Sequence, residues 1–285
     1  MTILQTGLPY IWRHPLCRHD RWRSTWRYLR WQIGSRLLAA PVIAPWINGA
    51  QLVVRRGMTG ATGNLYCGLH EWPDMAFLLH LLRPEDRFVD VGTNVGSYTV
   101  LASAAIGAST VAIEASPAAV RSLRLNVAVN GIGDRVCVHH MAAGDRSGSI
   151  LFSQDRDCMN QVVEGNYPGP SVRVSMRPLD SLEEIRGAVL WKVDVEGFEE
   201  EVLSGATRAL AGPILRAVLL EGRQPAVNAA MRAQGFQPAD YDPWSRTLVF
   251  EGLSQRGNQL WIRDPDWVAD RLRTAPLVSV FGRTF

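Results

Sequence analysis

From residue 87 onward, short apolar runs alternate with amphipathic ones with little interruption. "RFVDVG", "TVAIEA", "RVCVHHMA", "VLWKVDVEG" and "RAVLLEG" are almost continuously apolar and rich in β-branched residues, a pattern that predicts strands buried on both faces. Between them, "SYTVLASAAIG", "PAAVRSLRLNVAVNG", "EEEVLSGATRAL" and "PAVNAAMRAQG" repeat apolar positions every three or four residues and predict helices. Strands alternating with helices imply a parallel sheet covered on both sides. "RTLVFEG" and "NQLWIRD" follow with no helix between them, so an antiparallel hairpin is expected at one edge.

Upstream, "AQLVVRRG" predicts a strand and "EWPDMAFLLHLL" a helix. In "DRWRSTWRYLRWQIGSRLLA", Trp22, Trp26, Leu29, Ile33 and Leu37 share one helical face, Arg21, Arg23, Arg27 and Arg30 occupy others, and Asp20 is placed to cap the N-terminus. Such a helix either lies against its own domain or, because Trp and Arg suit an interface, touches an anionic membrane surface through residues 20–39. The apolar run after Arg36 is short and broken by Pro41 and Pro45, so it cannot span a bilayer and no secretory signal is expected. The expected organisation is an N-terminal Arg/Trp-rich helical extension with a lead-in strand over residues 1–64 and one main domain over 65–285.

Composition changes this picture little. A chain of 285 residues that is 47% hydrophobic can bury a large core and still carry an appendage. A formal charge of +3 is too mild for a nucleic-acid binder. Lys192 is the only lysine among the 30 basic residues. Cys17, Cys67, Cys137 and Cys158 are widely scattered, without the close spacing of a zinc set or redox dithiol, so a reduced cytoplasmic protein is expected.

The chemistry starts at "RFVDVGTNVGSYTVLA", where a predicted strand turns into a predicted helix through Asp90-x-Gly92-x-Asn94-x-Gly96. In an open α/β sheet such a turn, at the carboxyl end of a strand, holds ligands. Gly92 and Gly96 let the backbone bend and approach closely, and a helix starting near Ser97 aims free N–H groups at the same place. A Walker A loop would need Gly-Lys-Ser/Thr, which is absent here. A dinucleotide fingerprint would need a glycine where Asn94 stands, and Asp90 would repel a diphosphate. A carboxylate suits a cation such as S-adenosylmethionine (AdoMet), and Glu114, ending the next strand, lies where an acid takes ribose hydroxyls.

"FVDVGTNVGSYTVLA", "VAIEASP", "LRLNVAVNGIG", "AAGDRSG", "RPLDSL", "WKVDVEGFEEEVLSGA" and "AVLLEG" resemble, in this order and spacing, the FkbM family of AdoMet-dependent methyltransferases. The likeness covers roughly residues 65 to 262, and "KVDVEGFE" (Lys192 to Glu199) is its most specific piece. Thr93 in place of Ala and "EASP" in place of Glu-Pro-x-Pro depart from the family pattern. The resemblance implies a class I methyltransferase, Rossmann-like α/β fold with seven mainly parallel strands, the last antiparallel. It further implies that Asp90, Gly92, Asn94, Gly96 and Ser97 hold the methionine end of AdoMet, Glu114 the ribose, and Met141, Ala142 and Ala143 the adenine. "LYCGLHEWPD" resembles a segment closing over the cofactor, with Glu71 at the acidic position.

Asp194, at the end of the fourth core strand, is the first candidate for a catalytic base, with Glu196 and His70 as alternates. Asp194, Glu196 and Glu199 would also suit Mg²⁺, but Glu199 is explained by the following helix dipole, and no metal is assigned. By period 2, Asp194 and Glu196 share one side of the strand. His139 and His140 read as structural, and Asp242-Pro243-Trp244 as a turn. The reading is an AdoMet-dependent O-methyltransferase acting on a hydroxyl of a small-molecule, sugar or glycolipid-like acceptor. Its rivals are a dinucleotide-dependent oxidoreductase and a non-catalytic interaction protein on a methyltransferase fold.

Overall fold

The computed structural model describes residues 3–38, 40–154, 161–163, 167–222, 224–250 and 257–285. Eight strands form its central sheet: β1 (Arg87–Val91), β2 (Ser109–Glu114), β3 (Val136–His140), β4 (Leu190–Val193), β5 (Ala217–Leu220), β6 (Gln237–Asp242), β7 (Thr247–Val249) and β8 (Gln259–Ile262). Their order is β7-β6-β8-β5-β4-β1-β2-β3. The first five run parallel, and β8 inserts antiparallel between β5 and β6. This is the class I methyltransferase arrangement, with β7 as an additional edge strand.

Side-chain alternation divides the core. Phe88, Leu190 and Leu219 face one side, where they pack with Phe77 and Leu78 of the helix Trp72–Leu81. Val89, Trp191 and Val218 face the other, packing with Val202 and Val227 from the following helices. Burial on both faces is why these strands read as continuous apolar runs.

The expected edge hairpin is paired differently. Residues 247–249 bond to β6, and Asp242-Pro243-Trp244 is the turn between them: the Asp242 carboxylate accepts the Trp244 N–H at 3.1 Å and the Ser245 hydroxyl at 2.7 Å. The "NQLWIRD" strand leaves that edge and is buried between β5 and β6. Strand β6, "QPADYD", carries a proline and two acids, so it gave no apolar signal, and its neighbours in sequence were paired instead.

A second sheet, Ala142–Ala143, Gly148–Ser153, Val162–Val163 and Ser171–Arg177, follows β3 and was not expected. Neither were the helix Thr59–Cys67, which crosses the boundary expected at residue 64, nor the strand Val42–Pro45, which pairs with Gln51–Val54. Buried Asn126 fastens this hairpin to the domain: its side chain accepts the Val53 N–H at 2.7 Å and donates to the Val95 carbonyl at 2.8 Å.

The helix Arg21–Leu37 forms with Asp20 as its cap, accepting the Arg23 N–H at 3.0 Å. It does lie against the domain, but through Ser24 and Tyr28; of the apolar stripe only Leu29 packs inward, while Trp22, Trp26, Ile33 and Leu37 face outward. Cys17 and Cys67, far apart in sequence, come together beside His14, and both are free thiols. Cys158 lies outside the described residues.

Candidate active site

A cavity of about 260 Å³ opens along the carboxyl ends of β5, β4, β1 and β2, spanning the point between β4 and β1 where the connections diverge to opposite sides. Of the residues singled out in the sequence, His70, Glu71, Gly92, Asn94, Glu114, Met141, Ala142, Ala143, Asp194 and Glu196 line it. Three do not. Asp90 is 1% exposed and lies beneath the wall, accepting the Thr99 hydroxyl at 2.7 Å. Gly96 packs against Leu123, and the Ser97 hydroxyl accepts the Asn64 side-chain amide at 3.2 Å.

The turn after β1 is held by the acid after β2. The Glu114 carboxylate accepts the Asn94 N–H at 2.8 Å and the Ser116 N–H at 2.6 Å, which fixes Asn94 in a left-handed conformation at φ 53°. Burial pushes Glu114 up to about 7, against the pull of those N–H groups. Gly92 has φ 78°, and a Cβ there would lie 1.8 Å from the Asp194 carbonyl oxygen, so the turns after β1 and β4 touch backbone to backbone. Gly92→Ala combines left-handed strain with this clash. It is expected to lower stability by about 2 kcal/mol or more, as read by denaturant melts.

The far end is acidic. Strand β4 stops at Val193, so Asp194 and Glu196 share the cavity through the loop's conformation rather than through strand alternation. Glu196 adopts φ 54° and Gly197 φ 95°, while the buried Glu199 carboxylate accepts the Val195 and Gly197 N–H groups at 3.3 and 3.1 Å. Glu199 therefore shapes the loop and does not enter the cavity. Lys192 is paired across the sheet with Asp90, reaches Asp194 at 2.5 Å and stands 4.8 Å over the Tyr98 ring. Burial disfavours its charge, but Asp194, Glu71 and Asp90 hold the ammonium firmly protonated.

Glu221, at the end of β5, was not singled out in the sequence. The carboxyl oxygens of Asp194, Glu196 and Glu221 lie within 4.8 Å of one another. Burial and the hydrogen bond with Asp194 push Glu221 well above the usual carboxylate range, and its Oε2 is buried without a partner. Burial also opposes the Asp194 charge, but Lys192 and the Glu221 hydrogen bond outweigh it and hold Asp194 below its ordinary value. Glu196 is raised by burial and by the charges of Asp194 and Glu199. Within this pair Asp194 is thus favoured as the anion and Glu221 as its protonated partner.

The segment before β1 closes the wall. The His70 N–H donates to Asn64 at 2.8 Å, the Tyr10 hydroxyl donates to the His70 carbonyl at 2.7 Å, and the ring lies against Gly63. Burial lowers the His70 pKa, so the imidazole is neutral. Glu71 accepts the Tyr98 hydroxyl at 2.5 Å. Opposite the acids, Phe152 and Val162 of the second sheet complete an apolar wall with Ile113, Met141 and Ala142. The cavity is therefore apolar beyond Glu114, toward the second sheet, and carboxylate-rich at its β4–β5 end.

A family description, the methyltransferase FkbM domain, matches residues 90–238, more than half of the chain. The chain belongs to the FkbM methyltransferase family. Among curated proteins, the ribosomal protein L11 methyltransferase of Syntrophomonas wolfei is 26% identical over 130 residues, covering 42% of this chain and 40% of that relative. Among solved structures, an FkbM methyltransferase from Methylobacillus flagellatus KT aligns at TM-score 0.45 and 17% identity, covering 72% of this chain and 54% of that one. P. horikoshii TYW2, solved in complex with MeSAdo, aligns at TM-score 0.41 and 12% identity, covering 84% and 81%. This FkbM chain thus spans well under two thirds of the first two relatives. Among its described residues, no helix is long and apolar enough to cross a membrane.

Proposed function

We propose that the chain is an AdoMet-dependent O-methyltransferase, acting on a hydroxyl of a small-molecule, sugar or glycolipid-like acceptor, with residues 65–285 as its catalytic domain and the helix Thr59–Cys67 completing its cavity wall through Gly60. The observation that carries this reading is the polarity of the cavity: three carboxyl groups within 4.8 Å, with Lys192 beside them and an unpartnered Glu221 oxygen, at one end of a slot whose other end is apolar. A sulfonium and an ammonium suit the acidic end, whereas the diphosphate of a dinucleotide would be repelled there.

When bound, AdoMet supplies an electrophilic methyl group. In this reading Glu114 takes the ribose hydroxyls, and Met141, Ala142, Ala143, Phe152 and Val162 enclose the adenine. Asp194, fixed by Lys192 and Glu221, carries the negative charge facing the methionine end. The acceptor hydroxyl needs a base, and the base must have a lone pair to spare. Asp194 has committed its basicity to Lys192 and Glu221, and Glu221 is protonated. Glu196, raised in pKa and lining the same end, is the carboxylate left to take the acceptor proton.

The test is calorimetry with AdoHcy and NAD, followed by transfer of labelled methyl from AdoMet into glycan, lipid and metabolite extracts. AdoHcy is expected to bind and NAD not to. Binding of NAD alone would favour the oxidoreductase, and AdoHcy binding without transfer into any extract would favour a non-catalytic protein.

A further inference from the structure

The outward stripe of the helix Arg21–Leu37 takes no part in the cavity. At about 100° per residue, Trp22, Trp26, Ile33 and Leu37 fall within an arc of about 60°; Leu29, beside them, is partly buried, and Tyr28 and Ser24, which seat the helix, lie on the opposite side. Trp22 is 82% exposed, Trp26 60%, Ile33 59% and Leu37 79%. Isolated apolar residues on a surface are ordinary, but a continuous stripe of this size is an interaction surface.

The flanks say what it meets. Arg30 and Arg36 border the arc on its two sides, and both are exposed. Over residues 1–70 the sequence has nine arginines and one acid, Asp20. Two tryptophans in an apolar stripe between arginines match the boundary of a bilayer, where indole rings sit at headgroup level and guanidinium groups reach anionic headgroups. A second copy of this chain would bring the same arginines against each other, with only Asp20 near to offset them.

We infer that the helix Arg21–Leu37 lies in the plane of an anionic lipid surface, with Trp22, Trp26, Ile33 and Leu37 in the acyl boundary and Arg30 and Arg36 on the phosphates. The helix is also joined to the cavity. The Arg27 side chain donates to the Tyr66 carbonyl at 3.2 Å and the Gln32 amide to the Tyr66 hydroxyl at 3.1 Å. Tyr66 belongs to the helix Thr59–Cys67, which supplies Gly60 to the cavity wall and Asn64 to His70. A lipid-bound chain would hold its site one helix away from the bilayer.

The test is flotation of the full chain with phosphatidylglycerol vesicles and with phosphatidylcholine vesicles. The expected result is association with phosphatidylglycerol at low ionic strength that is lost at about 1 M salt, where the Debye length is about 3 Å. Trp22→Ser with Trp26→Ser should reduce partitioning about tenfold or more. Arg30→Gln and Arg36→Gln should each reduce it about fivefold. All four side chains are exposed, so the variants should keep wild-type melting and AdoHcy affinity, which separates this inference from the methyltransferase reading. Failure to float with phosphatidylglycerol at low ionic strength overturns it. So does a concentration-dependent dimer that the tryptophan variants dissociate, which would assign the stripe to a second copy.

Discussion

Glu196→Gln is expected to lower kcat by about 10²–10⁴-fold, the contribution of a positioned general base, while AdoHcy affinity stays within a few-fold of wild type. The amide keeps the shape of the side chain and its place in the loop but cannot accept the acceptor's proton. Glu196 is held ready for this by its surroundings: burial and the charges of Asp194 and Glu199 raise its pKa toward the working range. Its left-handed φ of 54° is an energetic cost that only the Glu199-pinned loop sustains, and residues held this way cluster at functional sites. Asp194→Asn should behave differently, because it removes the counter-charge of a buried ammonium, and should weaken both cofactor binding and stability. Single-turnover kinetics at saturating AdoMet and acceptor, beside AdoHcy calorimetry, distinguish the two. Wild-type kcat in Glu196→Gln together with a collapse confined to kcat in Asp194→Asn would return the role of base to Asp194.

The second large effect concerns Glu114. Replacing it with Gln removes charge-assisted hydrogen bonds worth about 1.5–3 kcal/mol, so AdoHcy affinity should fall roughly 10- to 100-fold. The wild type carries a pH signature as well. Burial lifts Glu114 from an ordinary value of 4.5 to about 7, so near neutrality the free protein partly holds a proton there that binding of ribose hydroxyls at the proposed site would favour releasing. Affinity should therefore drop about tenfold as pH falls from about 8 to about 6. The sign for stability is opposite. A carboxyl with a raised folded pKa favours the folded state fully below 4.5 and loses that contribution as pH rises through about 7, so ligand stabilisation should grow with pH. Glu114→Gln should flatten this component, and an unchanged affinity and pH profile in that variant would remove Glu114 from the ribose site.

The sequence exposed most of what the sheet buries. β1, β2, β4 and β5 were legible because strands covered on both faces are apolar throughout, and Gly92, Asn94 and Glu114 were legible because turns at their carboxyl ends have few other uses. Strand β6 was not, since its proline and acids break any apolar run. Ser171–Arg177 alternates apolar and polar residues strictly, a signal sufficient to find it and, through its partner Gly148–Ser153, the Phe152 wall. Glu221 was hidden for a different reason. The acids ending "WKVD" and "VLLE" become neighbours only once β4 and β5 pair in register, Val193 beside Leu220, and pairing is a property of topology rather than of either segment. Periodicity likewise placed Trp22, Trp26, Ile33 and Leu37 on one face without saying where that face points. The seating face contains serine and tyrosine and looks polar in sequence.

Lys192 gives the site a reporter of its own. Because arginine supplies every other basic residue in this chain, isotopic labelling of lysine marks a single side-chain nitrogen, and it sits between Asp90, Asp194 and the face of Tyr98. The magnetic resonance signal of that ammonium needs no assignment by mutagenesis. Its slow exchange with solvent would follow the burial of the carboxylate cluster, and its shift would register a cation or an acceptor arriving beside Asp194, in one spectrum and without any turnover.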